Sequence, residues 1–216
     1  MSRAVERMAE SGVVAVVRAP DAGGLVEVLG ALADGGVTAA EVTFTVPDAA
    51  GVIRDARRQL GGRVLVGAGT VLDPETARVA ILAGAEFVVS PVLNLDVVRL
   101  CKRYGVAVLP GAYTPTEILL AWEAGADVVK VFPADALGPG YLRAVRGPLP
   151  QVRLMPTGGV TLGNAGEFVR AGAVCLGVGG QLVEPAAVAA RDLGRLAELA
   201  RQFADAVRGA RKSGRQ

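Results

Sequence analysis

The chain has 216 residues, 51% of them hydrophobic and 20% charged, which is enough apolar material for one well-filled core. Its net charge of +2 is spread along the sequence, which excludes the basic stripe of a nucleic-acid binder. It contains no histidine, so Ser-His and Cys-His nucleophile systems and the His ligands of catalytic zinc are excluded, and carboxylate and amine chemistry remain.

Taken in order, the chain predicts a short amphipathic helix over about Ala4 to Glu10, placed to cover one end of a barrel. Apolar, β-branched runs then recur at Val13 to Val17, Ala40 to Thr45, Val64 to Gly69, Phe87 to Ser90, Val106 to Leu109, Val128 to Phe132, Val152 to Met155 and Val174 to Val178. Helical patterns lie between them. Several of these stop at a repeated join, Gly35-Gly36, Ala83-Gly84, Ala124-Gly125 and Ala171-Gly172, in which glycine ends the helix before the next strand. Helix starts are marked by Pro47-Asp48, Asp73-Pro74 and Thr114-Pro115. Strands alternating with helices at a spacing of roughly 20 to 28 residues predict an α/β fold, a single (β/α)8 barrel spanning residues 1–216. A last helix is expected over about Ala186 to Val207, and the Gly-, Ser- and Arg-rich segment from about 208 to 216 reads as a flexible basic tail.

No apolar run approaches the ~20 residues of a membrane helix, and Met1 to Glu10 lacks the apolar segment of a signal peptide. The expected setting is therefore cytoplasmic, with no membrane or nucleic-acid partner. Cys101 and Cys175 read as reduced, buried thiols. No cluster of carboxylates suggests a metal site, and no cofactor is expected.

In such a barrel, function sits where strands end. Val128, Lys130 and Phe132 share one face of a buried strand by alternation. Burial disfavours the charged ammonium and leaves a neutral amine able to attack a carbonyl; the competing reading is a structural ion pair. The chain's lysines are Lys102, Lys130 and Lys212, with arginine elsewhere, so a lysine has been kept where imine chemistry needs one. Glu41, Thr43 and Thr45 share the inner face of the second strand, which makes Glu41 a candidate proton shuttle for Lys130, or its neutralising partner. Pro156-Thr157-Gly158-Gly159-Val160 and Gly177-Val178-Gly179-Gly180 follow the last two strands, where barrels bind phosphate with backbone N–H groups. Gly67-Ala68-Gly69-Thr70 reads as a strand end, not a dinucleotide fingerprint.

The segments Glu41 to Pro47, Gly67 to Val71, Ser90-Pro91, Leu109-Pro110-Gly111, Val129 to Pro133 and Pro156 to Val160, in this order, resemble the 2-keto-3-deoxy-6-phosphogluconate (KDPG) / 4-hydroxy-2-oxoglutarate (KHG) aldolase family. The resemblance implies a metal-free class I lyase, usually a homotrimer, that cleaves KDPG to pyruvate and glyceraldehyde 3-phosphate in the Entner–Doudoroff pathway. Its partners would be a small 2-keto acid and an aldehyde phosphate. It further implies that Lys130 is the Schiff-base lysine and Glu41 the proton-transferring residue. Thr70, Phe132 and Pro91 would belong to the pyruvate and carboxylate pocket, Thr157 would bear on stereoselectivity, and Gly158, Gly159, Gly179 and Gly180 would hold phosphate.

Two departures stand out. Thr45 occupies a position where some members carry an arginine for the substrate carboxylate, so Arg18, at the end of the first strand, is the candidate for the missing charge. Gly180 stands where other members have a serine hydroxyl, which weakens the expected hold on phosphate. The alternatives are a sibling aldolase for KHG or the galactonate epimer of KDPG, and, in another class, a phosphosugar isomerase or epimerase or a non-catalytic phosphosugar-binding barrel.

Overall fold

Helix ends repeat one geometry along the chain. In the computed structural model, which describes residues 2–213, Gly36, Gly84, Gly125 and Gly172 have φ of 96°, 98°, 99° and 94°. A side chain disfavours that conformation, so glycine stops each helix and turns the chain into the next strand. Helix starts are equally local. Asp48 accepts from the Gly51 N–H, Asp73 accepts from the Thr76 N–H, and Thr114 with Glu117 forms a capping box.

The elements are α1 (Arg3–Ser11), β1 (Val13–Val17), α2 (Leu25–Asp34), β2 (Ala39–Thr43), α3 (Ala49–Leu60), β3 (Leu65–Gly69), α4 (Pro74–Leu82), β4 (Phe87–Val89), α5 (Leu95–Arg103), β5 (Ala107–Leu109), β6 (Gly111–Ala112), α6 (Pro115–Glu123), β7 (Val129–Val131), α7 (Gly138–Arg146), β8 (Leu154–Pro156), α8 (Leu162–Arg170), β9 (Leu176–Val178), α9 (Pro185–Ala189) and α10 (Leu193–Ser213). The strands pair in parallel, in one curled sheet of order β5-β4-β3-β2-β1-β9 and a second of order β6-β7-β8. β5 ends at Leu109 as expected, and beyond Pro110, which has no N–H to give to a ladder, the short β6 resumes pairing with β7. At the other junction, a single bridge, Thr157↔Gly177, and a bond from the Val174 N–H to the Leu154 carbonyl (3.0 Å) join β8 to β9. The expected (β/α)8 architecture is thus drawn as two curled parallel sheets facing each other, with thin seams between them, rather than as one continuous ladder.

Alternation along the strands sorts the apolar side chains into two sets. Val14, Ala39, Leu65, Phe87, Leu109, Met155 and their neighbours fill the lower lumen, and α1 caps it with Val5 and Met8, as its amphipathic pattern predicts. Val13, Ala15, Val42, Val66, Val129 and Leu176 face outward into the shell of helices. The small inward residues lie higher in the lumen. Gly67 admits the Phe87 ring, and Gly69 and Gly177 admit polar side chains.

Three boundaries differ from expectation. β2 ends at Thr43, because the Val46 N–H turns back to the Thr43 carbonyl (2.9 Å), so Thr45 stands beyond the strand on the turn. The last helix is two helices, broken at Ala190–Asp192, where Arg191 has φ 51°. Residues 208–213 are not a frayed tail but the end of α10, with Ala210 buried and Arg211 bonded to the Ala9 carbonyl at 2.6 Å; residues 214–216 lie outside the described residues. No described helix is long and apolar enough to cross a membrane.

Candidate active site

Lys130 sits in the middle of β7, opposite Gly111 of β6 on one side and Met155 of β8 on the other. Its N–H bonds the Pro110 carbonyl at 2.9 Å, which fixes the strand so that the side chain points into the lumen. Glu41 enters from the opposite wall, between Val16 of β1 and Gly67 of β3. Both side chains are almost fully buried, and Lys130 Nζ is 3.8 Å from Glu41 Oε1.

Glu41 has no hydrogen-bond partner for either carboxylate oxygen. Burial pushes its carboxyl above the usual carboxylate range, while the charges of Lys130 and, less strongly, Arg18 pull the other way. Packing holds it in place: a Cβ at Gly69 would lie 2.6 Å from Oε1, so only glycine leaves room for the carboxylate. The Phe132 ring stands with its centroid 5.1 Å from Lys130 Nζ, an apolar wall that also favours a cation. This combination, a buried amine beside a carboxyl group with no hydrogen-bond partner, suits imine formation followed by proton transfer.

Neither Lys130 nor Glu41 lines the cavity of ≈ 620 Å³ at this end of the barrel, which their neighbours Phe132 and Val16 reach. Arg18, Thr45, Phe132, Thr157, Gly158 and Gly159 line it, and Gly179 and Gly180 close its far side. Thr157 is buried, its hydroxyl is unpartnered, and Gly177 makes room for it, since a Cβ there would be 2.1 Å from Thr157 Oγ1. Gly158 and Gly159 have φ of 89° and 68°, a left-handed backbone that glycine adopts without strain. The Asn164 amide ties this turn to α8 through the Gly159 carbonyl at 2.8 Å. Thr45 is exposed on the turn after β2, and its hydroxyl is 2.8 Å from that of buried Thr43.

Thr70 and Pro91 are not in that lining. They follow β3 and β4 at the same end of the barrel, with Thr70 at φ 56° and Pro91 backed against Gly111, whose Cβ would come 2.2 Å from the Pro91 carbonyl oxygen. Val16, Gly69 and Gly177 are site-shaping residues beyond those singled out from the sequence. Alternation from Arg18 and Gly179 points to Val16 and Gly177, whereas Gly69 is reached only through the Thr43↔Gly69 register.

Both free cysteines lie away from this chemistry, and burial pushes the Cys101 and Cys175 thiols up to about 12.

A family model described as KDPG and KHG aldolase matches residues 5–199. A 2-dehydro-3-deoxy-phosphogluconate aldolase of Treponema pallidum is 44% identical over 77% of this chain and 78% of its own length. A 2-dehydro-3-deoxy-6-phosphogalactonate aldolase of Escherichia coli is 37% identical over 67% of this chain and 71% of its own. Among solved structures, the KDPG aldolase of Legionella pneumophila, with pyruvate captured as a covalent carbinolamine, superposes with a TM-score of 0.87 at 27% identity, covering 94% of this chain and 98% of that one.

Proposed function

The chain belongs to the KDPG and KHG aldolase family, and from that premise we propose that it is a class I aldolase in which Lys130 forms the imine and Glu41 moves the protons. The observation that carries this reading is the Lys130–Glu41 pair, 3.8 Å apart in the lumen, with the carboxylate otherwise unpartnered.

Neutral Lys130 attacks the C2 ketone of the substrate, and the carbinolamine takes up a proton at its hydroxyl and loses water to give a protonated imine. Glu41, directly or through a water, takes the proton of the C4 hydroxyl. The C3–C4 bond breaks, its electron pair moves into the imine, and an aldehyde and an enamine result. Glu41 returns a proton to C3, and hydrolysis frees pyruvate and the amine. Burial supports the proton transfers, because it pushes the Glu41 carboxyl above the usual carboxylate range and so helps it hold a proton.

The substrate proposed is 2-dehydro-3-deoxy-6-phosphogluconate, giving pyruvate and D-glyceraldehyde 3-phosphate. Support comes from the 44% identity to a protein named for that activity, and the glycines Gly158, Gly159, Gly179 and Gly180, which line the cavity, are assigned to the phosphate. The galactonate epimer is the second reading, favoured by the relative named for it, and the two differ at C4, near the hydroxyl assigned to Thr157. Thr70 and Pro91 are assigned to the pyruvate side, together with Phe132, Thr45 and Arg18.

We further propose a homotrimer. Exposed Leu72, Val92 and Leu95 form one apolar area, because the Asn94 amide ties their two loops together through the Leu72 carbonyl at 2.9 Å. Light scattering of the purified protein tests it, with Leu72→Asp expected to give monomers.

The experiment for the activity is incubation with pyruvate and borohydride, followed by intact mass and peptide analysis. An adduct on the Lys130 peptide, absent in Lys130→Arg, is the expected result. An adduct on Lys102 or Lys212, or none, would return Lys130 to a structural role. Turnover of KDPG, its galactonate epimer and 4-hydroxy-2-oxoglutarate, measured side by side, then assigns the substrate.

A further inference from the structure

Beside the reaction cavity lies a second hollow of ≈ 440 Å³ between the β1–α2 loop and the α9–α10 corner. Arg18, Ala19, Pro20 and Pro185 line both spaces, so the two are adjoining compartments with Arg18 in the shared wall. The far end of the second compartment carries Arg191.

Its electrostatics are lopsided. Among the described residues seven arginines, Arg57, Arg58, Arg63, Arg99, Arg195, Arg201 and Arg208, pair with a carboxylate, and Arg18 and Arg191 are among those that do not. The one acid in the lining, Asp21, turns Oδ1 onto the Gly23 N–H at 2.8 Å. The rest of the wall is Ala19, Pro20, Pro185, Val188 and Ala189, which offer aliphatic surface and no competing side-chain donors or acceptors. Two exposed guanidinium groups against one carboxylate in the lining make the hollow a favourable place for an anion.

The backbone at Arg191 points the same way. With φ 51° it occupies a conformation glycine would hold with less strain, and its guanidinium is laid against the Gly23–Gly24 turn, where a Cβ on Gly24 would be 3.3 Å from Nε. What the position gains over glycine is the guanidinium, placed at the rim of the hollow.

We propose that this hollow is a second anion subsite, in which Arg191 holds the terminal phosphate of acceptor aldehydes longer than three carbons, while Arg18, in the shared wall, stays with the substrate carboxylate. It rests on the aldolase reading above. A three-carbon aldehyde phosphate is served by the glycine turns. A longer acceptor carries its phosphate past them, and the adjoining compartment receives it, the intervening carbons lying on the alanine and proline wall.

The test is aldol addition of pyruvate to glyceraldehyde 3-phosphate, erythrose 4-phosphate and ribose 5-phosphate by the full chain and by Arg191→Gln and Arg191→Gly, the second of which keeps the left-handed turn without strain. Both variants should lose about tenfold in kcat/KM for the four- and five-carbon phosphates, as expected for a charge-assisted contact, and less than twofold for the three-carbon one. Equal losses for all three acceptors, or no loss for any, overturn the subsite. Borohydride trapping with pyruvate, run on the same samples, reports the imine separately. If the imine is absent, calorimetric binding of ribose 5-phosphate, expected to weaken about tenfold in Arg191→Gln, still decides the subsite, and unchanged binding refutes it.

Discussion

Lys130 Nζ and Glu41 Oε1 stand 3.8 Å apart across the barrel, the amine entering from β7 and the carboxylate from β2. That separation exceeds a hydrogen bond and leaves the carboxylate able to engage a substrate hydroxyl or a water. Glu41→Gln removes proton transfer while preserving shape. Lys130 in this variant should still be trapped by pyruvate and borohydride, whereas turnover should fall by about 10²–10⁴, the range for loss of a general acid–base group. Full turnover in Glu41→Gln would assign the proton step elsewhere.

The same carboxyl makes stability depend on pH. Its usual value is 4.5 and the fold raises it, so between the two values the folded protein keeps a proton that the unfolded chain has lost. Stability from this group is therefore full below about pH 4.5 and declines as pH rises through the folded value. Melting curves should show Glu41→Gln gaining on the parent by a few degrees between pH 4.5 and 7; a constant difference would contradict the raised carboxyl.

Gly69→Ala probes the packing that aims Glu41. The added methyl would lie 2.6 Å from Oε1 and 2.7 Å from the carboxyl carbon, so the side chain must move or the strand must shift. Overpacking of this kind costs about 1–3 kcal/mol, and kcat should fall well beyond any change in KM. Unchanged kcat would mean that Glu41 does not need its observed position.

Arg18→Ala tests whether the cation at the end of β1 replaces the arginine that Thr45 does not supply. KM for pyruvate in the synthetic direction should rise about tenfold, the value of one charge-assisted contact, and Arg18→Lys should recover part of it. An unchanged KM removes Arg18 from the carboxylate pocket.

At Gly180 the reverse substitution is informative. A Cβ there meets nothing within 4 Å, so Gly180→Ser adds a hydroxyl without a clash. KM for the phosphorylated aldehyde should drop several-fold relative to its unphosphorylated analogue, in line with one added hydrogen bond. Equal effects on both aldehydes would place the phosphate away from this turn.

Much of this arrangement is legible in the sequence, because the signals are local. Glycine stops, proline starts and β-branched runs each act within a few residues, and alternation alone sends Lys130 and Glu41 inward. What escapes is what depends on distant partners. Thr45 continues the strand pattern of Glu41 and Thr43, yet a turn bond from Val46 ends β2 two residues sooner. The charged pattern of residues 208–213 looks solvated, but α10 continues through it, with Ala210 buried and Arg211 reaching the carbonyl of Ala9 at the other end of the chain. β5 ends where its pattern ends it, but the resumption of pairing beyond Pro110, from β6 to β7, is not in that pattern. The room that Gly69 and Gly177 leave for Glu41 and Thr157 depends on the register between neighbouring strands, which no single strand's pattern supplies.

The plug that α1 sets into the lower lumen with Val5 and Met8 makes the barrel a blind-ended vessel. Lys130 lies deep in it and the glycine turns lie at the rim, so everything passes through one door. Pyruvate must enter before an aldehyde can lie over it, and after cleavage the aldehyde must depart before pyruvate can. The order of the kinetic scheme is thereby written into the floor of the barrel, far from any atom that reacts.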